Sequence, residues 1–439
     1  MKKKFTSFLV ALSLLCPVFS VYAEEISADG IKPSITAETA ILMDAASGDI
    51  LYEKNAHQKM YPASITKLMT ILLALENGTL TDEITFSHDA VFSIEFGSAH
   101  IAIQEGETLT LEQVLRAIIL RSANEASNGA AEYVDGSTEA FTKHMTERAK
   151  ELGCKNTNFI TANGLHDENH YTTAYDMALI AKELLTHETY RSLMSETYYE
   201  IPPTNKQEEI RYLHGQHQML NRSSAYYYEY AIGGKTGYTS EALNTLVTYA
   251  AKDGMELIAV VMKCNGAEHY TDTKDLFEYG FENFSSVKLI SAAEHTIELP
   301  ATELYKEKPV ARGSITATPI SDVYRTLPKG TDISGLTIET ELPETVEAPV
   351  STGQPVGTMN LLLDGESLAT VAVTSQSNIA PLTDAEKYEL DSSSPLGILK
   401  RIGFGIGILL LTFVILLCIT RTIGYVRYKK RKRRRRQRK

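Results

Sequence analysis

The pattern of apolar and polar positions changes near residue 286, from a mixture of helical and strand-like runs to short β-like runs alone. In the first part, a hairpin is predicted at residues 40–52, where two apolar runs flank an Ala-Ser-Gly-Asp turn. Residues 64–75 are apolar on nearly every side, which predicts a buried helix that a following Asn-Gly pair ends. Apolar runs at 243–251 and 255–262 predict two strands joined by a Lys-Asp-Gly turn.

Two more helices are predicted between these elements. Thr110 and Gln113 form a capping box that opens a helix to about residue 120. Helical spacing of four apolar residues indicates the other: Phe141, Met145, Ala149 and Leu152. After about residue 287 the helical signal ends, and a hairpin is clear at 361–368. We therefore predict an α/β domain at 24–286 and a small β-sandwich-like domain at 287–378.

The first 23 residues have the pattern of a secretory signal peptide. Three lysines follow Met1, an uncharged stretch with an apolar centre comes next, and the small residue Ala23 ends it. We predict cleavage after Ala23 and export of the mature chain.

A second apolar segment lies near the other end of the chain. Residues 402–420 carry no charge, and an α-helix of that length, at about 1.5 Å per residue, crosses a hydrocarbon core. We predict a transmembrane helix at 396–421, after a polar stalk at 379–395. The positive-inside rule assigns the basic tail at 422–439 to the cytoplasm and the domains to the outer side.

Composition sharpens this division. The 439 residues have a formal net charge of −12, but residues 24–395 hold 26 of the 43 basic residues and all 55 acidic ones, a net charge of −29. Such acidity argues against nucleic-acid binding, and the basic tail suits anionic lipid instead. Of the four cysteines, Cys154 and Cys264 belong to the exported part, where an oxidising compartment permits one disulfide between them.

Three short motifs with reactive side chains follow one another along the α/β domain. They are Ser64-Ile65-Thr66-Lys67, Ser122-Ala123-Asn124 and Lys235-Thr236-Gly237. Each is weak alone, and a second Ser-x-x-Lys occurs at 285–288, where no suitable helix is predicted. The signal is their order, spacing and context together.

The first motif suits nucleophilic catalysis. Ser64 falls in the first turn of the buried helix, and Lys67, three residues on, shares its face. A serine hydroxyl becomes a nucleophile when a base removes its proton. A neutral lysine amine is such a base, and burial together with a nearby positive charge, for which Lys235 is the candidate, lowers its pKa. The helix N-terminus would also offer backbone N–H groups to an oxyanion.

The other two motifs complete the predicted site. Ser122 and Asn124 lie between two helical stretches, so they are expected on a loop that presents both side chains. The Lys235 motif follows two glycines and should begin an edge strand, where Gly237 lets backbone and ligand approach closely. A ligand can lie along such an edge as an added strand.

Taken together, these motifs resemble those of the serine-type D-alanyl-D-alanine carboxypeptidases, the low-molecular-mass penicillin-binding proteins of the peptidase S11 type. The resemblance covers about residues 36–284 and, more weakly, the β domain. It is carried by residues 62–70, 122–126, 163–166, 172–178 and 234–239. It implies an α/β, β-lactamase/transpeptidase-like domain, with an antiparallel sheet flanked by helices, followed by a small all-β domain and a C-terminal transmembrane helix.

The resemblance also implies a reaction and a role for each motif residue. Ser64 would attack the penultimate D-alanine of a peptidoglycan stem peptide ending in D-Ala-D-Ala, and water would hydrolyse the acyl-enzyme without a metal or cofactor. Lys67 is implied as the general base and Ser122 as a proton relay. The implied substrate-binding residues are Asn124, Lys235, Thr236, Gly237 and Thr239, and the implied oxyanion hole consists of the backbone N–H groups of Ser64 and Tyr238. β-Lactam antibiotics would acylate Ser64 at the surface of the bacterial cell membrane.

Several alternatives stay open. A class A β-lactamase shares the motif types but needs a Glu-x-x-Leu-Asn sequence before Lys-Thr-Gly, and here His217 occupies the glutamate position. The others are a D,D-endopeptidase acting on cross-links and a non-catalytic β-lactam sensor or wall-binding protein. His214 and His217 could bind zinc, but they lack a helical context and a nearby acidic partner at ligand spacing.

Two features of the sequence are not explained by the resemblance. In many relatives a C-terminal amphipathic helix lies on the membrane surface, whereas residues 402–420 predict a true span. Residues 222–232 contain four tyrosines, which either border the site or form an ordinary hairpin surface.

Overall fold

The computed structural model describes residues 32–436, which divide into two units. The first contains the described residues up to Leu289 together with Tyr324–Ser334. The second contains Ile290–Val323 and the described residues from Gly335 onward. The predicted signal peptide at 1–23 lies outside the described residues.

The bounds of the elements are as follows. The strands are β1 (Thr39–Asp44), β2 (Ile50–Lys54), β3 (Glu83–Thr85), β4 (Thr108–Thr110), β5 (Tyr198–Ile201), β6 (Arg211–His214), β7 (Ala231–Thr239), β8 (Leu243–Lys252), β9 (Met255–Cys264), β10 (Phe284–Ile290), β11 (Ile297–Tyr305), β12 (Lys308–Pro319), β13 (Val323–Pro328), β14 (Leu336–Glu341), β15 (Val346–Glu347), β16 (Pro355–Leu363) and β17 (Glu366–Ser375). The helices are α1 (Lys67–Asn77), α2 (His88–Phe92), α3 (Leu111–Arg121), α4 (Asn124–Asp135), α5 (Thr138–Glu151), α6 (Ala174–Leu184), α7 (Glu188–Met194), α8 (Glu268–Asn283), α9 (Asp384–Ser393) and α10 (Pro395–Arg436).

A five-stranded antiparallel sheet in the order β2-β1-β9-β8-β7 organises the first unit. Its two predicted hairpins, β1–β2 and β8–β9, are confirmed. Because side chains alternate along a strand, Ile41 and Met43 of β1 enter the core that the sheet forms with α1, α3, α4 and α6. Leu42 enters the core on the opposite face, together with Leu276 and Phe277 of α8. Both faces of the sheet are therefore covered, and β7 lies at an open edge.

Helix α1 lies in the first of these cores, as its apolar sequence predicts. Eight of its eleven residues are buried, from Lys67 to Ala74. The chain enters it through a 3-10 turn at Ala63–Thr66, so Ser64 belongs to this tighter turn and not to the α-helix itself. The capping box at the start of α3 is confirmed, because Thr110 and Gln113 make both reciprocal hydrogen bonds. The second Ser-x-x-Lys, at 285–288, lies on β10 and has no helical context.

The second unit contains a six-stranded sheet in the order β14-β16-β17-β12-β11-β15. The predicted hairpin at 361–368 is its β16–β17 connection. The six strands are hydrogen-bonded in one sheet, and the sandwich-like arrangement stays a prediction. The segment predicted as a polar stalk contains α9, which Thr383 and Glu386 open with a capping box.

Helix α10 follows α9. Between residues 32 and 436, its stretch Leu396–Arg433 is the one helix long and apolar enough to cross a membrane. Its apolar side chains are exposed in the isolated chain, including Leu410, Phe413 and Leu416. This apolar helix fits membrane anchoring. Cys154 and Cys264 are both buried as free thiols, so the permitted disulfide is not formed.

Candidate active site

Ser64 lies where the 3-10 turn meets the open edge of the sheet, and its side chain is half-buried. Ala63, just before it, has a φ of 49°, a left-handed conformation that is uncommon for a residue with a side chain. Gly164 packs against this turn so closely that a Cβ there would overlap the Ala63 carbonyl oxygen. Local strain beside a nucleophile is typical of functional sites, and here a loop from elsewhere in the fold supports it.

Lys67 is fully buried, and its amine is held by three groups. Its Nζ lies 3.0 Å from Ser64 Oγ and 2.7 Å from Asn124 Oδ1, and it also contacts the Asn163 carbonyl oxygen. The two amide oxygens accept hydrogen bonds only. In the neutral amine, both N–H groups are therefore directed to Asn124 and Asn163, and the lone pair is left for the Ser64 hydroxyl proton. This arrangement suits a general base.

Burial also sets the charge of the two lysines. It lowers the pKa of Lys67 well below its usual value, and the positive charge of Lys235 lowers that pKa further, while Glu125 opposes both effects. Burial lowers the pKa of Lys235 to about 7. Burial and the charge of Lys235 thus favour the neutral form of Lys67, and near pH 7 Lys235 gains or loses its proton with small changes in its surroundings.

The Lys-Thr-Gly motif lies on an edge strand, β7, as predicted, but β7 begins at Ala231 and the motif lies in its middle. Gly237 approaches the nucleophile turn so closely that a Cβ there would lie 2.9 Å from the Ser64 nitrogen and 3.1 Å from the Ile65 nitrogen. Lys235 is buried, and its Nζ donates to the Thr236 carbonyl oxygen at 2.7 Å. The backbones of the first and third motifs are therefore in contact at this position.

The remaining predicted residues of β7 lie further along the strand. The Thr236 side chain is half-buried, and the Tyr238 side chain is 64% exposed. Thr239 Oγ1 accepts a hydrogen bond from the Ala242 backbone nitrogen at 3.0 Å, so this hydroxyl also closes the turn after β7. The backbone of β7 beside Ser64 stays open for a ligand strand.

The second motif lies between two helices, as predicted, but Asn124 belongs to α4 and not to the loop. Ser122 ends α3 in a left-handed conformation, with a φ of 57°, and Asn124 begins α4. Within residues 32–436 the buried Ser122 hydroxyl has no hydrogen-bond partner. A buried hydroxyl without a partner carries a desolvation cost, so this hydroxyl is free to make a further hydrogen bond.

Sequence reasoning missed the residues that hold Lys67 from behind. Asn163 was part of a motif without an assigned role, yet its carbonyl oxygen accepts from Lys67. Its side chain donates to Asn128 Oδ1 at 3.0 Å, and Asn128 in turn donates to Ser93 Oγ at 3.1 Å. Ser93, Asn128 and Asn163 come from three segments that are distant in sequence, so no local pattern predicts that they meet. The Asn-Gly pair at 163–164 is the one local signal, and it indicates a turn.

A buried ion pair supports the loop in front of α4. Glu107 and Arg211 are both buried, and the guanidinium makes two hydrogen bonds to the carboxylate, at 2.7 and 2.8 Å. Arg211 also donates to the Ala102 carbonyl oxygen at 3.2 Å. The same loop accepts the Asn124 backbone N–H at the Ala99 carbonyl oxygen, at 2.9 Å. The pair thus fixes a segment that borders the second motif.

The histidines considered for zinc do not form a metal site among the described residues. His217 is buried against Thr248, at 3.0 Å, and burial followed by the charge of Lys235 lowers its pKa to about 3. In the described part, the group that could hold a metal ion by geometry is Glu76, Glu183 and His187. Arg148 forms ion pairs with both of those glutamates, which offsets the negative charge that a cation would need.

Fold and motifs together define a class: serine enzymes of the penicillin-binding type, in which a Ser-x-x-Lys turn faces an edge strand that carries Lys-Thr-Gly. Comparison with known families agrees with this class. Residues 26–266 match the D-alanyl-D-alanine carboxypeptidase family, and residues 284–381 match the C-terminal domain of penicillin-binding protein 5. The chain therefore belongs to the D-alanyl-D-alanine carboxypeptidase family, peptidase family S11.

Individual relatives extend over most of the chain. D-alanyl-D-alanine carboxypeptidase DacF of Bacillus subtilis (strain 168) is 32% identical over 385 residues, 86% of this chain and 95% of that protein. DacA of Escherichia coli (strain K12) is 31% identical, over 82% of this chain and 89% of its own. The crystal structure of penicillin binding protein 5 from Haemophilus influenzae superimposes with a TM-score of 0.65 at 29% identity, covering 80% of this chain and 100% of that one. The predicted fold class and family are confirmed, and the β-lactamase, endopeptidase and sensor alternatives are not favoured.

Proposed function

We propose that this chain is a serine D,D-carboxypeptidase that removes the terminal D-alanine from peptidoglycan stem peptides and so limits cross-linking. The observation that carries the proposal is the position of Lys67 Nζ, 3.0 Å from Ser64 Oγ, with its other hydrogen-bonding directions taken by two amide oxygens. Family membership supports the substrate class. The same groups would let β-lactams acylate Ser64.

The reaction begins when the neutral amine of Lys67 takes the Ser64 proton as Oγ bonds to the carbonyl carbon of the penultimate D-alanine. The oxyanion is stabilised by the backbone N–H groups of Ser64 and Tyr238. Ser122 and Lys235 pass a proton to the leaving amine, and the C–N bond breaks to release D-alanine. Water then attacks the acyl-enzyme and restores Ser64.

Substrate recognition falls to the edge strand and the loop after α3. In this proposal the terminal carboxylate binds Lys235 and Thr236, Thr239 contacts the substrate further along β7, and Asn124 orients the substrate amide. Gly237 leaves space for the substrate backbone beside β7, and the edge position of β7 supports binding as an added strand. The exported part is strongly acidic, so long-range steering does not favour an anionic peptide. Capture of the carboxylate then depends on local groups, chiefly Lys235.

The cellular location is inferred from the N-terminal segment at 1–23 and from the apolar helix and basic tail near the C-terminus. We infer that residues 1–23 direct export, that the apolar part of α10 at 396–421 crosses the cell membrane once, and that the basic residues at 422–439 lie in the cytoplasm beside anionic lipid. The catalytic domain would then act outside the membrane. Reporter fusions placed after residue 395 and after residue 436 test the orientation, since only the second should lie in the cytoplasm.

Incubation of the purified protein with a pentapeptide ending in D-Ala-D-Ala tests the activity. We expect release of one D-alanine per peptide and labelling by fluorescent penicillin, and we expect Ser64→Ala to abolish both. Ser285→Ala is the matched control, because Ser285 heads the second Ser-x-x-Lys and lies on β10. Undiminished labelling of Ser64→Ala, or no release by the unaltered protein, would refute the proposal. Cross-linked peptide dimers as substrate measure the endopeptidase alternative.

A further inference from the structure

A pocket of about 340 Å³ opens beside the nucleophile turn, in the first unit. It is not part of the machinery described so far. Three chain segments form most of its wall, and their lining residues are Met60, Tyr61, Glu168, Tyr171, Glu241 and Ala242. Two lysines, a glutamine and a further glutamate complete its polar lining.

Each of the three segments leads directly from the catalytic groups to this pocket. Tyr61 lies three residues before Ser64. The loop that begins with the carbonyl of Asn163 on Lys67 continues to Glu168. On the way it places the His166 ring 4.7 Å from the Tyr61 ring, which closes the wall between the two segments.

The third segment is β7 and the turn after it. Gly237 contacts the backbone of the Ser64 turn, and Glu241 lines the pocket two residues beyond Thr239. The Ala242 nitrogen donates to Thr239 Oγ1 at 3.0 Å, so the turn that carries Glu241 is held in place. The pocket therefore lies just beyond the end of β7, on the side of the sheet edge that Ser64 faces.

The direction of the substrate decides which part of it reaches the pocket. With the terminal carboxylate at Lys235 and the reacting carbonyl beside Gly237, the preceding residues extend toward Thr239 and Glu241. A strand advances about 3.3 Å per residue. The residue before D-Ala-D-Ala therefore lies near the end of β7, with its side chain within reach of the pocket.

The charge in the pocket indicates what that side chain carries. Glu38 is paired with Lys263 at 2.7 Å, and the Lys59 amine lies 4.0 Å from the centre of the Tyr171 ring. Glu168 and Glu241 are exposed, and in the part of the chain that the structure describes neither forms an ion pair with a lysine or arginine. Two carboxylates without a cationic partner, beside aromatic walls that suit an alkyl chain, favour a primary amine as ligand.

We propose that this pocket binds the side-chain amino group of the stem-peptide residue that precedes D-Ala-D-Ala, and that Glu168 and Glu241 determine this specificity. The proposal rests on the proposed carboxypeptidase function, and it adds a preference among peptides that the catalytic motifs alone do not produce. The enzyme would then distinguish stem peptides that carry a free amine at this position from those in which the amine is blocked or already cross-linked.

Two substrates that differ only in the amine provide the test: Nα-acetyl-L-Lys-D-Ala-D-Ala and its Nα,Nε-diacetyl form. We expect the full-length protein to show a kcat/KM about 5-fold higher for the free amine, the size of a well-formed ion pair at low ionic strength. The preference should shrink as NaCl is added, because salt screens exposed charges. In the double variant Glu168→Gln, Glu241→Gln the ratio of the two kcat/KM values should approach one. Glu241→Lys should reverse it in favour of the acetylated substrate.

Glu209→Gln is the matched control, since Glu209 is an exposed glutamate outside the pocket, and it should keep the ratio of the unaltered protein. A ratio of two rate constants is insensitive to partial unfolding, which lowers both alike. Equal hydrolysis of the two substrates by the unaltered protein, or an unchanged ratio in the double variant, overturns the subsite and leaves the carboxypeptidase reaction intact. Hydrolysis of neither substrate overturns the proposed function and the subsite with it.

Discussion

Gly237→Ala is the most direct test of how the nucleophile turn and the edge strand depend on each other. A methyl group at this position would lie 2.9 Å from the Ser64 nitrogen and 3.1 Å from the Ile65 nitrogen, and closer still to Thr245 Oγ1. Both nitrogens belong to the backbone that carries the nucleophile, so the contact cannot be relieved by rotating a side chain. Either β7 or the Ser64 turn has to move.

The size of the effect follows from the required movement. Relief of the contact needs a shift of about half an ångström, and overpacking of this kind costs roughly 1–3 kcal/mol of folding free energy. A misplacement of about 1 Å costs about 100-fold in rate, so half that distance costs about 10-fold. We therefore expect the acylation rate of Gly237→Ala to fall at least tenfold, through a displaced Ser64 and a distorted oxyanion site.

The assay is the second-order rate of labelling by fluorescent penicillin, with thermal unfolding measured in parallel. Gly254→Ala is the control, because Gly254 has a φ of 81° in the β8–β9 turn and no atom lies within 4 Å of an added Cβ. It should lower stability by about 1 kcal/mol through backbone strain and leave acylation unchanged. A folded Gly237→Ala protein that is acylated at the normal rate would refute the close approach of β7 to Ser64.

Three further predictions concern charge and hydrogen bonding. Burial lowers the pKa of Lys235 to about 7, so its positive charge is lost as the pH rises through 7. Lys67 has to be neutral to act as the base, and its lowered pKa favours the neutral form. The kcat/KM should therefore decline above about pH 7, and Lys235→Arg should abolish that decline; its persistence in the variant would assign it to another group. Arg211→Met leaves the Glu107 carboxylate buried without its cation and should lower the free energy of unfolding in urea by about 3–5 kcal/mol. Adding Glu107→Gln should recover part of that loss. An unchanged free energy of unfolding in Arg211→Met would show that the ion pair is not needed for stability. Asn128→Ala removes the acceptor for the Asn163 side chain, whose carbonyl oxygen contacts Lys67. The free energy of unfolding should fall by about 1–3 kcal/mol. The kcat should fall as well, which a purely structural role would not produce.

Local signals in the sequence accounted for many elements. The capping box at Thr110 correctly predicts the start of α3, since its hydrogen bonds join residues three apart. The hairpins at β1–β2, β8–β9 and β16–β17 were equally readable, because alternation and turn residues act over short distances. Thr383 and Glu386 are the same kind of signal for α9. Polar composition there predicts a stalk, whereas the capping box opens a helix.

Contacts between segments that are distant in sequence cannot be predicted from such local patterns. The 3-10 turn at Ser64 depends on Gly164, which leaves room for the Ala63 carbonyl. The pocket beyond Thr239 exists because three separate segments converge there. A hydrophobic period reports that an element is buried, but it does not report which neighbour covers it or how closely.

The sequence by itself determined the chemistry that is available: a serine and a lysine three residues apart at a helix start, and a Lys-Thr-Gly strand to follow. Only the tertiary structure decided the state of that chemistry. The pKa of Lys67 is lowered because packing excludes water from its amine and brings the charge of Lys235 near. Its lone pair points to Ser64 because Asn124 and Asn163, from two other parts of the chain, occupy its N–H groups. Desolvation and hydrogen-bond direction are properties of surroundings, and surroundings are assembled only when the chain folds.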